Sequence, residues 1–167
     1  MIVRYLGSST DTAISITDTV ASDTFAAITG TLSATDADAS TTLTYGIATI
    51  PVTNGVATTV GTYGTLAVTA TTGAYTFTPN AVAINALAAN TTETFSVTVS
   101  DGTATTTASY TVTITAANDA PTLGAIAVSG TEDTTLTFTA ANFTGAYTDA
   151  ESTALVSITV VTLPATG

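Results

Sequence analysis

Almost every residue of this chain that could do chemistry is a carboxylate. Its 12 Asp and Glu stand against one cation, Arg4, with no His, Lys or Cys, for a formal net charge of −11. Nine of the acids and one partner amide are the candidate ligands: Asp18, Asp23, Asp36 with Asp38, Glu93, Asp101, Asn118 with Asp119, and Asp149 with Glu151. Oxygen-only donors of this kind suit calcium, which takes about six to eight oxygens from carboxylates, amides, backbone and water. Zinc and copper find no imidazole or thiolate to prefer. A Ser or Thr nucleophile lacks its usual base. Paired carboxylates could serve glycoside hydrolysis, but only across a sugar cleft, and nothing in their spacing marks one. The chain is therefore read as a non-enzyme that binds calcium.

Such acids need a scaffold that gathers them. The chain has 167 residues, 45% of them hydrophobic, and 45 are Thr, a residue that favours pleated, half-buried strands. The class is all-β. Alternation of period two is clearest at 94–99 and 110–114, and strands are predicted near 12–17, 24–34, 42–50, 63–70, 74–79, 93–100 and 104–116. Short strands between Gly, Asn, Asp and Thr turns are the pattern of an antiparallel sandwich. Asn54-Gly55 predicts an edge hairpin within 51–60, and Val82, Ile84 and Leu87 a turn or two of helix between Pro79 and Asn90. The predicted core is Leu43, Tyr45, Phe77, Phe95, Val97, Val99, Tyr110, Val112 and Ile114.

Four segments follow: residues 1–11, with a possible extra strand; a sandwich over 12–117; a linker, 118–122; and a partial second sandwich, 123–167. Strands near 123–129, 134–140 and 154–162 are too few to close that second unit. Either it is cut short or strands from another chain complete it, and Ile2, Val3, Tyr5 and Leu6 form a candidate donor strand.

Strand order sorts the acids. If successive strands reverse, the turns at 35–40 and 100–103 share one pole and bring Asp36, Asp38 and Asp101 together. Asp18, Asp23, Glu93, Asn118 and Asp119 then lie at the other pole, beside Asp149 and Glu151. Two carboxylates about 4 Å apart repel by about 1 kcal/mol in water and about 4 at a protein surface. A cation at the seam offsets this, while Pro121 restricts the linker. The competing reading is that Asp, Asn and Gly serve plain β-turns, with Asp101-Gly102 a simple hairpin.

GTLSATDADASTTLTYG, VGTYGTLAVTATTGAYTFTPN, INALAAN, FSVTVSDG and NDAP, in this order, resemble the landmarks of VCBS repeats from large secreted (RTX-type) bacterial adhesins. TEDTTLTF, YTDAES and ITVVTLP resemble the start of a bacterial cadherin-like repeat. The resemblance implies immunoglobulin/cadherin-like sandwiches in tandem, the second incomplete, often with calcium at their junctions. It implies a structural stalk segment of an extracellular or cell-surface adhesin, serving adhesion or biofilm formation.

Its partners are then neighbouring repeats or other copies of itself. The alternative function is a filament subunit joined by strand complementation, and a weaker one is carbohydrate binding, with Tyr63 and Tyr75 as a platform for surface glycans. An acidic surface repels phosphate, which argues against nucleic acid. No run of about 18 apolar residues predicts membrane insertion. The terminal LPATG matches a sorting motif in letters, but lacks the following apolar segment and basic tail, and reads as coincidence.

Overall fold

The computed structural model describes residues 3–6, 13–36 and 42–162. In chain order the elements are β1 (Val3–Leu6), β2 (Ala13–Thr17), β3 (Ile28–Thr31), β4 (Ala34–Asp36), β5 (Thr44–Ile47), β6 (Val56–Val60), β7 (Gly64–Thr69) and β8 (Ala74–Pro79). Then come α1 (Ala81–Asn85), β9 (Thr91–Ser100), β10 (Thr105–Thr115), β11 (Thr122–Leu123), α2 (Ala140–Thr144) and β12 (Tyr147–Thr148).

Two four-stranded sheets, β2-β10-β9-β5 and β3-β8-β7-β6, face each other. Alternation dictates what lies between them. Phe95, Val97 and Val99 on β9 and Tyr110, Val112 and Ile114 on β10 are buried. Opposite them Leu66, Val68, Tyr75 and Phe77 are buried on β7 and β8. Burying a side chain of this size contributes about 1.5–3 kcal/mol. Tyr75 meets Tyr110 edge-on, with ring centroids 5.0 Å apart, and Phe77 lies 6.0 Å from Phe95. Leu43 and Tyr45 of the predicted core are only half-buried, while Ile14, Ile16, Leu32, Ile47, Ala57 and Ile84 join it.

Most pairings are antiparallel, but β2 runs parallel to β10, with Ile16 opposite Ile114 and Thr17 opposite Thr115. Both strands therefore leave the sheet at the same pole. The strand predicted over 24–34 is two pieces, because Leu32 turns into the core and its N–H bonds the Gly73 carbonyl at 2.8 Å. The Asn54-Gly55 turn forms, with φ of 52° and 83°, but it closes only a single Thr53–Val56 bridge; β6 makes its hairpin with β7 through the turn after Val60. The short helix is α1, started by Asn80, whose side chain accepts from the Ala83 N–H.

Beyond the linker the prediction fails. No residue from 120 to 162 is buried, and apart from the short β11–β12 ladder the strands predicted at 123–129, 134–140 and 154–162 do not form. A strand needs a neighbour for its backbone groups, and alternation alone supplies none. Residues 140–144 are instead α2, where the Thr139 N–H donates to Asn142 Oδ1 at 2.7 Å. Among the described residues no helix is long and apolar enough to cross a membrane. The LPATG stretch lies outside the described residues.

Candidate functional site

The pole where β2 and β10 end together positions most of the site. The Asp18 N–H continues the ladder to the Thr115 carbonyl at 2.9 Å, so Asp18 stands beside the start of the linker. Its Oδ2 accepts from the Ala117 N–H at 3.4 Å; its Oδ1 is buried without a partner, and the residue is 3% exposed. Asp23 follows on the same loop, with Oδ2 taking the Thr19 N–H at 2.7 Å. The linker is tied down by the Ala116 N–H on Asn90 Oδ1 at 2.9 Å and the Ala120 N–H on the Val20 carbonyl at 3.0 Å.

Asp119 sits at the centre, 2% exposed, with neither carboxylate oxygen hydrogen-bonded. Its N–H crosses the seam to Glu151 Oε1 at 3.0 Å, and Glu151 Oε2 is buried and unpartnered. Asp149 anchors the facing turn: its Oδ1 takes the Thr153 N–H at 2.8 Å, and the Tyr147 hydroxyl donates to Oδ2 at 3.4 Å. Between them lies an open cleft of about 230 Å³ lined by Ser22, Asp119, Thr122, Thr148 and Asp149.

Burial raises the Asp119 carboxyl above its ordinary value of 3.8, and the charges of Asp18, Glu151, Asp23 and Asp149 raise it further. Burial and the Asp149 charge likewise raise the Tyr147 phenol. Buried carboxylate oxygens ordinarily have partners. Oxygens that lack them, on three residues at one seam, have the donor chemistry a hard cation requires. Among the described residues, however, no three acidic side chains are arranged so that they could hold an ion as they stand.

Of the sequence-predicted residues, Asp18, Asp23, Asp119, Asp149 and Glu151 come into one electrostatic neighbourhood. Asn118 is adjacent, but its amide nitrogen braces the Asp119 carbonyl at 2.8 Å. Glu93 is not at the seam: its inward-facing carboxylate clamps the β6–β7 turn, taking the N–H of Thr62 and, at 3.1 Å, that of Tyr63. Gly61 makes room for this clamp, since a Cβ there would lie 2.4 Å from Glu93 Oε1. Asp101 also serves a turn. Its Oδ1 takes the N–H groups of Thr103 at 2.7 Å and Ala104 at 2.6 Å, and the Ala104 bond, then the Thr103 bond, holds its carboxyl below 3.8. Asp36 lies on β4 away from the seam, and Asp38 lies outside the described residues. Sequence reasoning missed Asn85 and Asn90, whose contacts span 62 and 26 residues and leave no local signal. Tyr75 is 4% exposed, so no Tyr63–Tyr75 sugar platform exists.

The chain matches no curated protein. The bacterial cadherin-like domain family matches residues 9–116, the unit in which the order of landmarks resembles VCBS repeats, and the match stops short of the linker. Family model and fold agree on an all-β sandwich of the kind found in adhesive and structural bacterial surface proteins. Matched over more than half its length, the chain belongs to the bacterial cadherin-like domain family.

Proposed function

We propose that this chain is a non-enzymatic spacer of an extracellular or cell-surface bacterial adhesin, stiffened by calcium at the joint between the sandwich at 12–117 and the unit beyond 122. The finer VCBS assignment and a place in a biofilm matrix belong to this same proposal. The observation that carries it is Asp119, a carboxylate 2% exposed with both oxygens unpartnered, in the field of four further acids. A calcium ion would take oxygens from Asp119, Asp18 and Glu151, with Asp23 and Asp149 beside them, and supply the positive charge this seam lacks. Drawing those groups in would tie the linker to the Asp149–Glu151 turn, making two units move as one.

Calorimetric calcium titration of the full chain and of Asp119→Asn tests it. Saturable binding by the parent and its loss in the variant are expected; no heat and no change in melting temperature between chelator and calcium would contradict it.

One observation favours a second reading, a filament subunit completed by a strand from another copy. Leu136, Val160 and Val161 are exposed, and Phe138 and Val156, also exposed, line a groove with Phe143 and Leu155. Light scattering separates the two, since a monomer at high concentration with calcium present excludes the filament.

A further inference from the structure

β6 is the last strand of its sheet, in the order β3-β8-β7-β6, and its hydrogen bonds fix which way its backbone faces. The Gly55 carbonyl accepts the Ala70 N–H at 2.8 Å and the Gly61 N–H donates to the Gly64 carbonyl at 2.8 Å, so the odd-numbered residues between them, Ala57 and Thr59, bond β7. The even-numbered residues turn the other way. Val56 exchanges bonds with Thr53, at 3.1 and 2.9 Å, which leaves the N–H and C=O groups of Thr58 and Val60 pointing outward with no strand beyond them among the described residues. The adjacent edge of the facing sheet is closed within the chain: on β5 the Tyr45 N–H reaches the Ala70 carbonyl at 2.9 Å, and the Ile47 carbonyl accepts the Ile50 N–H at 3.1 Å.

Edge strands are ordinarily guarded by charge, proline or a bulge. β6 has none of these: its sequence is VATTV, its register with β7 is continuous, and Thr58 and Val60 are exposed. Charge then decides which partner can reach it. The chain carries −11, yet no residue from 39 to 92 is charged, so the surface around β6 is one where two copies can meet without opposing carboxylates. Glu93, which reaches the turn after β6, is engaged by the Thr62 and Tyr63 N–H groups. We infer that β6 pairs antiparallel with β6 of a second copy, joining two four-stranded sheets into one across a two-fold axis at Thr59. The register is self-complementary. Thr58 faces Val60 of the second copy and Val60 faces its Thr58, each pair exchanging both N–H···O bonds while Thr and Val side chains meet on the outer face. This contact needs no calcium and none of the groove residues around Phe138, and its closed symmetry stops at a dimer where strand complementation would run on as a filament.

The test is sedimentation of the full chain in chelator over a concentration series, beside Thr58→Pro and Val60→Asp. The parent is expected to show a monomer–dimer equilibrium that tightens as salt rises, because screening weakens repulsion between two acidic chains. Thr58→Pro removes an outward N–H and leaves the β7 ladder intact, the setting in which an edge strand tolerates proline. Losing that bond from each copy should raise the dimer Kd about 10-fold or more. Val60→Asp sets two carboxylates into the contact without touching the backbone and should weaken it likewise, so it carries the test should the proline variant fail to fold. Thr59→Cys reads the register. The chain has no native cysteine, and the two Thr59 residues would form a non-hydrogen-bonded pair with Cα atoms about 4.5 Å apart, within disulfide reach, so an added oxidant should give a covalent dimer. A parent that stays monomeric at every concentration and salt would overturn the inference, as would a dimer that both variants retain, polymers in place of dimers, or a dimer in which Thr59→Cys does not cross-link.

Discussion

The Asp119 N–H donates to Glu151 Oε1 at 3.0 Å, while both Asp119 carboxylate oxygens and Glu151 Oε2 are buried without a donor. Two acids are thus held together by a backbone bond while their charges oppose the contact. Uncompensated buried charge is costly. On the calcium reading proposed above, this seam weakens the metal-free chain and a bound cation fastens it.

Calcium should stabilise the chain by mass action, by about 2.7 kcal/mol at a hundredfold excess over Kd. Asp119→Asn removes one buried charge, so its metal-free melting temperature should exceed the parent's, while its gain on adding calcium should vanish. Thermal melts in chelator and in calcium check both halves.

Acidity separates two groups of opposite sign. Asp119 titrates above 3.8 in the fold, so its ionised form penalises the metal-free chain, and that penalty lifts as pH falls through the raised value toward 3.8. Asp101 titrates below 3.8, so its contribution is present above that value and is lost as pH falls through the lowered one. Metal-free melting temperature should therefore rise on mild acidification and drop only in stronger acid. In calcium the mild-acid rise should be absent, because protons then compete with the metal.

Glu93→Ala should destabilise the first unit by about 1–3 kcal/mol through loss of charge-assisted bonds to Thr62 and Tyr63. Its calcium affinity should stay within about twofold of the parent, in line with additivity between separate sites. Urea unfolding with calorimetry separates this turn clamp from a ligand.

Tyr75→Ala should cost about 3–5 kcal/mol, as expected for a large aromatic removed from a packed core. Denaturant titration of the folded variant measures it. A glycan platform residue would instead leave stability nearly unchanged.

What could be read in advance was whatever each segment carries by itself. β9 and β10 announce themselves because Phe95, Val97, Val99 and Tyr110, Val112, Ile114 recur on one face of a pleated strand. The Asn54-Gly55 turn and α1 were likewise local. Glu93 could not be assigned, since a carboxylate in a strand looks the same whether it clamps a turn 31 residues away or faces a metal. Asn85 was invisible for the same reason. The alternation at Thr135, Leu136, Thr137 and Phe138 encodes a preference for strand, yet no neighbouring strand pairs with it and the segment stays irregular. Asp18 and Asp23 come near Asp119 because β2 and β10 end side by side, a parallel pairing that single-strand periodicity does not contain, while the turn after β12 brings Glu151 to the Asp119 N–H.

Stiffness across the linker is the property on which the account turns. The chain has no native cysteine, so Thr107→Cys and Thr135→Cys, both exposed, place spin labels one on each side of the seam without interference. Pulsed dipolar distance measurement should give one narrow distribution in calcium and a broad one in chelator. An equally narrow distribution in both would contradict a metal-made joint.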